Sequence, residues 1–142
     1  MKNKTMKNKT MKNKTMKNKK FINQDKMILF FIELLNMVKL YHWQTYSYST
    51  HKATDQLFDD LNDNVDKYVE VMLGKLPSRP NLHLKSIPLR SFTNISSFLK
   101  EIDKCKKFLI HIHYSPENSD LLNIRDEILG NLNQFTYLLS FK

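Results

Sequence analysis

Apolar residues recur along this chain at helical spacing in four stretches, separated by polar or proline-bearing breaks. In the first, residues 25–45, Ile28, Phe31, Leu35, Val38 and His42 follow steps of three and four, as one helix face turned to a core requires. Leu29, Phe30, Ile32 and Leu34 widen that face well beyond one stripe, so this helix is expected to be covered by the bundle core and by a neighbouring subunit. The second stretch, residues 49–74, presents Leu57, Phe58, Leu61, Val65, Tyr68, Val69 and Met72 to the core. Ser49 or Thr50 is placed to cap its start and Gly74 to break its end. The third, residues 92–113, carries Ile95, Phe98, Leu99, Ile102, Cys105, Leu109 and Ile112. After a short turn the fourth carries Leu121, Ile124, Ile128, Leu132, Phe135 and Leu139. No segment alternates with a period of two for long enough to make a strand, so the expected fold class is all-α.

The break between the second and third stretches sets the topology. Residues 75–90 contain Pro77, Pro80 and Pro88 and no helical period. Fully extended they reach roughly 50 Å, more than the roughly 38 Å of the second helix, so they can cross the bundle and start the third helix parallel to the second. That is the long crossover of a ferritin-like four-helix bundle.

The polar side of the second helix holds the candidate chemistry. His51 and Asp55 are 4 residues apart, Asp66 and Glu70 are again 4 apart, and Asp55 to Asp66 is 11, close to three turns. On a continuous helix all four fall within an arc of roughly 100°. The 15 residues from His51 to Asp66 nevertheless span roughly 22 Å at about 1.5 Å each. Ligands of one metal ion must lie within a few ångströms of one another, so one chain offers two half-sites. Two copies of the helix running antiparallel across a two-fold axis would bring His51 and Asp55 of one to Asp66 and Glu70 of the other, making two equal sites per dimer. An acid on the polar face of an amphipathic helix is ordinarily just solvated, and Asp59, Asp60 and Asp63 are read that way.

Composition changes the picture in two respects. The 142 residues, 41% hydrophobic, suit one domain with a real core, and the single Cys105 excludes an intramolecular disulfide and a thiolate metal cage. Cys105 is expected as a small core residue of the third helix. The net charge of +9 is concentrated at one end: Lys2, Lys4, Lys7, Lys9, Lys12, Lys14, Lys17, Lys19 and Lys20 stand in repeated Met-Lys-Asn-Lys-Thr units with no acid among them. Removing nine from 23 basic residues leaves 14 against 14 acidic ones, so residues 21–142 form a formally neutral bundle domain. Units whose only apolar member is Met cannot bury enough surface to fold, so residues 1–20 are expected to be a disordered tail. Unless it is merely an expanded DNA repeat that is translated, such a tail would bind duplex DNA through phosphate charge and without base readout. No stretch is apolar enough to span a membrane, and no Gly-rich phosphate loop occurs.

The run Tyr41-His42-Trp43-Gln44, then His51 with Asp55, then Asp66 with Glu70 before Gly74, resembles the Dps proteins, the DNA-protecting miniferritins of the ferritin-like superfamily. It is also similar to ferritin-like proteins of large DNA viruses and phages. The resemblance is specific over residues 34–74 and architectural beyond them. It implies iron ligation by His42, His51, Asp55, Asp66 and Glu70 at a site shared by two subunits, with Trp43 beside the metal to absorb oxidising equivalents. It further implies oxidation of iron(II) by peroxide or oxygen, storage of the ferric product, and a two-fold dimer within a hollow dodecamer. The expected location is the cytoplasm, or the host cytoplasm or virion for a viral protein. The departure from the family is the link between the histidines, 9 residues here and longer in the family. Iron is chosen by that resemblance, because imidazole with carboxylate suits manganese or zinc equally. An intra-bundle di-iron centre of the ordinary ferritin type needs Glu-x-x-His pairs, which this chain lacks. The alternative reading is a non-enzymatic ferritin-like structural or DNA-packaging protein whose acidic cluster is a remnant.

Overall fold

Short polar side chains decide where each helix begins. Asn23 accepts a hydrogen bond from the Lys26 N–H at 3.0 Å and opens α1 (Gln24–Gln44). Ser47, rather than Ser49 or Thr50, caps α2 (Tyr48–Gly74) by accepting from the Thr50 N–H, which leaves only three residues between the two helices. Asn94 accepts from the Ser97 N–H at 2.9 Å and starts α3 (Ile95–Ile110) three residues later than the apolar period predicts. Phe92 therefore stays in the connection, edge-on to Phe98 at 5.5 Å, and the connection covers residues 75–94 rather than 75–90. A short 3-10 turn, Pro116–Asn118, leads into α4 (Ser119–Leu138). The computed structural model describes residues 23–113 and 115–141, so the lysine repeat of residues 1–20 lies outside the described residues. The described chain is all-α, with four helices and no strand.

Helix ends also depart from the sequence reading. Gly74 lies inside the last turn of α2 with no positive φ, and Lys75 continues it in right-handed geometry. The left-handed glycine cap is thus absent, and Pro77, which cannot continue a helix, follows the end. At the end of α3, Arg125 of α4 donates to the Leu109 and Ile112 carbonyls at 3.0 Å each. A cation there satisfies orphaned carbonyls and opposes the negative end of the helix dipole.

Contacts fix the helix directions. α1 and α2 form an antiparallel hairpin, with Phe31 edge-on to Tyr68 at 5.0 Å near one end and His42 against His51 at the other. α4 runs antiparallel to α2, tied by Asn64 to Asn131 at 2.8 Å and by Lys75 to Asp120 at 2.9 Å. α3 runs antiparallel to α1 through two ring stacks, Tyr41 on Phe98 and Phe30 on Phe108. The 75–94 segment meets the start of α1 where Gln24 bonds Ser78, its middle where Arg90 pairs with Glu33, and its end where Gln44 bonds Ser91.

Val38, Leu61, Tyr68, Met72, Phe98, Ile102, Leu109, Leu121, Ile128 and Leu132 are fully buried at the centre of the bundle, and Cys105 lies buried on α3 as expected. Phe30, Ile32 and Leu35 of α1 are half-buried against the core margin. Much of the width of the α1 apolar face is therefore accounted for by two helix neighbours inside the chain, α2 and α3. Among the described residues no helix is long and apolar enough to cross a membrane.

Candidate metal half-site

The three-residue turn after α1 presses the last turn of one helix against the first turn of the next. His42 and His51 stack there, ring centroids 3.9 Å apart and planes 23° from parallel. Their bonding is reciprocal: His42 Nδ1 lies 3.0 Å from the His51 carbonyl oxygen, and His51 Nδ1 lies 3.0 Å from the His42 carbonyl oxygen. A carbonyl only accepts, so in the neutral rings the proton sits on Nδ1 and each Nε2 keeps its lone pair. Holding a ligating imidazole by the other nitrogen in this way is how a protein fixes its tautomer and orientation. The short link between the histidines thus brings the two rings together.

Around this pair the chain places one buried hydroxyl and one ion pair. Thr54, fully buried, donates to the Thr50 carbonyl at 2.8 Å or the His51 carbonyl at 3.0 Å, and its Oγ1 is 3.3 Å from His42 Nδ1. Asp55 Oδ1 stands 3.6 Å from His42 Nε2 and 3.7 Å from Lys39 Nζ. Two ligands of a tetrahedral ion at about 2.1 Å are roughly 3.4 Å apart, so the His42 nitrogen and the Asp55 oxygen are at a spacing that one cation could bridge. Lys39, which also lies 4.6 Å from the Phe58 ring centroid, supplies a positive charge to that carboxylate meanwhile.

Asp66 and Glu70 do not join this group. Both are exposed further along α2, and neither has a hydrogen-bond or ion-pair partner among the described residues. No three or more His, Cys, Asp or Glu side chains among the described residues form a group able to hold a metal ion within the one chain. Trp43 is 69% exposed beside the pair, with Lys39 Nζ 5.9 Å from its ring. Tyr46 and Tyr48, exposed on the same hairpin, extend the aromatic surface around it.

The remaining candidates fall elsewhere. Glu33 of α1 and the buried Glu101 of α3 converge on Arg90, whose guanidinium stands between them, while Glu127 faces Lys67 at 3.6 Å on another side of the bundle. An arginine occupies the place where two facing carboxylates would need a metal. His111 Nδ1 lies 2.6 Å from the Lys107 carbonyl at the end of α3, and His113 is exposed beyond it. Lys39, Thr54 and Arg90 were not singled out from the sequence. Thr54 left a trace there, a polar residue in phase with Leu57 and Leu61 on the core stripe.

Residues 42–139 match a family of unknown function, DUF5856. The chain belongs to that family. The DUF5856 match begins at His42, near the end of α1, and takes in the turn after it and all of α2, with His51, Asp55, Asp66 and Glu70. No curated protein and no solved structure matches the chain.

Proposed function

We propose that this DUF5856 protein is a Dps-like iron-binding protein that oxidises iron(II) between subunits and stores the ferric product. The observation that carries the reading is the reciprocal histidine pair with Asp55 at the start of α2, set against two carboxylates on the same helix that have no partner among the described residues. The pair supplies imidazole nitrogens already held in the ligating tautomer, which removes part of the ordering cost of binding. The roughly 22 Å to Asp66 puts Glu70 and Asp66 out of reach within one chain. A two-fold axis between antiparallel α2 helices would bring the halves together. The parallel sense of α2 and α3, with residues 75–94 meeting α1 at its start, middle and end, supports the ferritin-like crossover.

Iron(II) is the substrate in this scheme. His42 and His51 offer Nε2 and Asp55 offers a carboxylate oxygen from one subunit, and Asp66 and Glu70 offer oxygens from the other. Each ion gives up one electron to peroxide or oxygen, and the carboxylates favour the harder ferric product. Entry of the cation displaces Lys39 from Asp55. The lysines of residues 1–20 would hold DNA by phosphate charge alone.

Anaerobic addition of iron(II) to the full chain, followed by peroxide or air, tests the reading. Oxidation faster than in buffer alone is expected, and it should fall when His51 is replaced by Ala. Oxidation at the buffer rate overturns the enzymatic reading and leaves the non-enzymatic structural or DNA-packaging one.

A further inference from the structure

The two ring stacks that join α1 to α3 leave a gap between them. Phe30 on Phe108 and Tyr41 on Phe98 have centroids 4.2 and 4.1 Å apart. They lie about three turns apart along the helices. Between them Leu34, Met37 and Cys105 do not fill the space, and a half-open cavity of about 200 Å³ remains. Its walls are mostly apolar, and none of the residues of the histidine half-site lines it.

The mouth is polar in a particular way. Glu33, Glu101, Arg90 and Lys104 all stand there, two negative and two positive, with Arg90 paired to both carboxylates and Lys104 to Glu101 at 2.8 Å. The charges compensate, so a charged ligand gains no net field on entering. A guanidinium has five N–H donors, and Arg90 uses one on each glutamate, so donors remain for an uncharged acceptor oxygen. Burial pushes the Cys105 thiol up to about 11, so it stays protonated and behaves as part of the apolar wall.

From the apolar floor, the neutral mouth and the spare donors, we propose that the cavity between α1 and α3 is a binding site for a small uncharged molecule with a flat apolar body and one acceptor oxygen. A dry cavity of about 150 Å³ already accepts benzene, so this one suits a phenol-sized ring. The oxygen would face Arg90 and the ring would lie between Met37 and the edge of the stacked Phe30–Phe108 pair. Water that is poorly held against such walls is displaced at a gain. This site is independent of the iron reading.

The probe is p-cresol, with toluene, benzoate and benzylammonium as comparisons, added to the full chain. Saturable binding of p-cresol is expected, with shifts of the Met37 methyl resonance and slowed modification of Cys105 by a small thiol reagent. Toluene should bind more weakly, and the two charged analogues more weakly still. Cys105→Leu, which fills the floor, should weaken p-cresol about tenfold. Met37→Phe does the same from the opposite wall, should Cys105→Leu fail to fold. Arg90→Met should weaken p-cresol and leave toluene unchanged. No saturable p-cresol binding, or binding that both filling variants leave intact, overturns the site. Equal loss of p-cresol and toluene in Arg90→Met overturns the role given to Arg90.

Discussion

Under the proposed function, two mutants that are each inactive should restore activity when mixed, and random pairing of subunits sets by how much. His51→Ala breaks the half-site made by the α1–α2 hairpin, and Glu70→Ala breaks the other half, roughly 28 Å away along α2. In an equal mixture that pairs at random, half of the dimers contain one subunit of each kind. Each such dimer has one site with both halves intact and one with both broken. About one quarter of all sites, and so about one quarter of the wild-type rate, should return. A same-half pair provides the control. His51 and Asp55 are brought to the same imidazole, His42, within one chain, so mixing His51→Ala with Asp55→Ala leaves every site defective. Iron oxidation followed by absorbance after unfolding and joint refolding reads the outcome, with exchange of subunits checked by mass. Recovery in neither mixture, once exchange is shown, refutes a site across a two-fold axis. Recovery in both refutes the grouping of His42, His51 and Asp55 as one half.

Three other outcomes follow from charge and packing. Deleting residues 1–20 removes all nine excess positive charges, so retention of DNA in a gel shift should collapse while folding and iron oxidation persist. Binding by the full chain should weaken steeply with salt, by roughly 0.9 counterion per phosphate neutralised; equal retention by the shortened chain would move the binding surface to the bundle. Gly130 lies within α4 and a Cβ there meets nothing within 4 Å, so Gly130→Ala should stabilise by roughly 0.5–1 kcal/mol in a denaturant melt. A destabilised variant would show that another surface packs against that position. Lys75 bonded to Asp120 holds that carboxyl below its ordinary range. Its folded value therefore lies under its unfolded one, and the contribution is present above the unfolded value and lost as pH falls through the folded one. Lys75→Met should return the Asp120 resonance to ordinary titration, and an unmoved curve would remove Lys75 as the cause.

The four helices were legible because burial imposes a period on the sequence, and Leu61, Met72, Phe98, Ile102, Leu121 and Ile128 all obey it. Boundaries were less legible where two small polar residues compete. Ser47 and Ser49 are both fit to cap α2, and only the backbone of the turn decides for Ser47. The four-residue spacing of His51 and Asp55 on one helix was legible because it is local, but that both lie against His42 was not. Lys39, Thr54 and Arg90 act across elements, and their positions depend on the register of the α1–α2 hairpin and the path of residues 75–94. Neither is encoded in any short motif.

That difference bears on how the histidine pair should be understood. A half-site built from two helices joined by three residues is set when the hairpin folds, because His42 and His51 satisfy each other's carbonyls whether or not a metal arrives. Asp66 and Glu70 have no such partner among the described residues, and in the proposed two-fold dimer their placement near the pair depends on where a second copy of α2 comes to rest. Under the proposed function, assembly therefore controls the chemistry: the imidazoles are ready in the single chain, and the carboxylates that complete the ligand set arrive only with the neighbouring subunit. A change that weakens the dimer without touching any ligand should then lower iron oxidation in proportion to the dimers lost, while the hairpin hydrogen bonds persist.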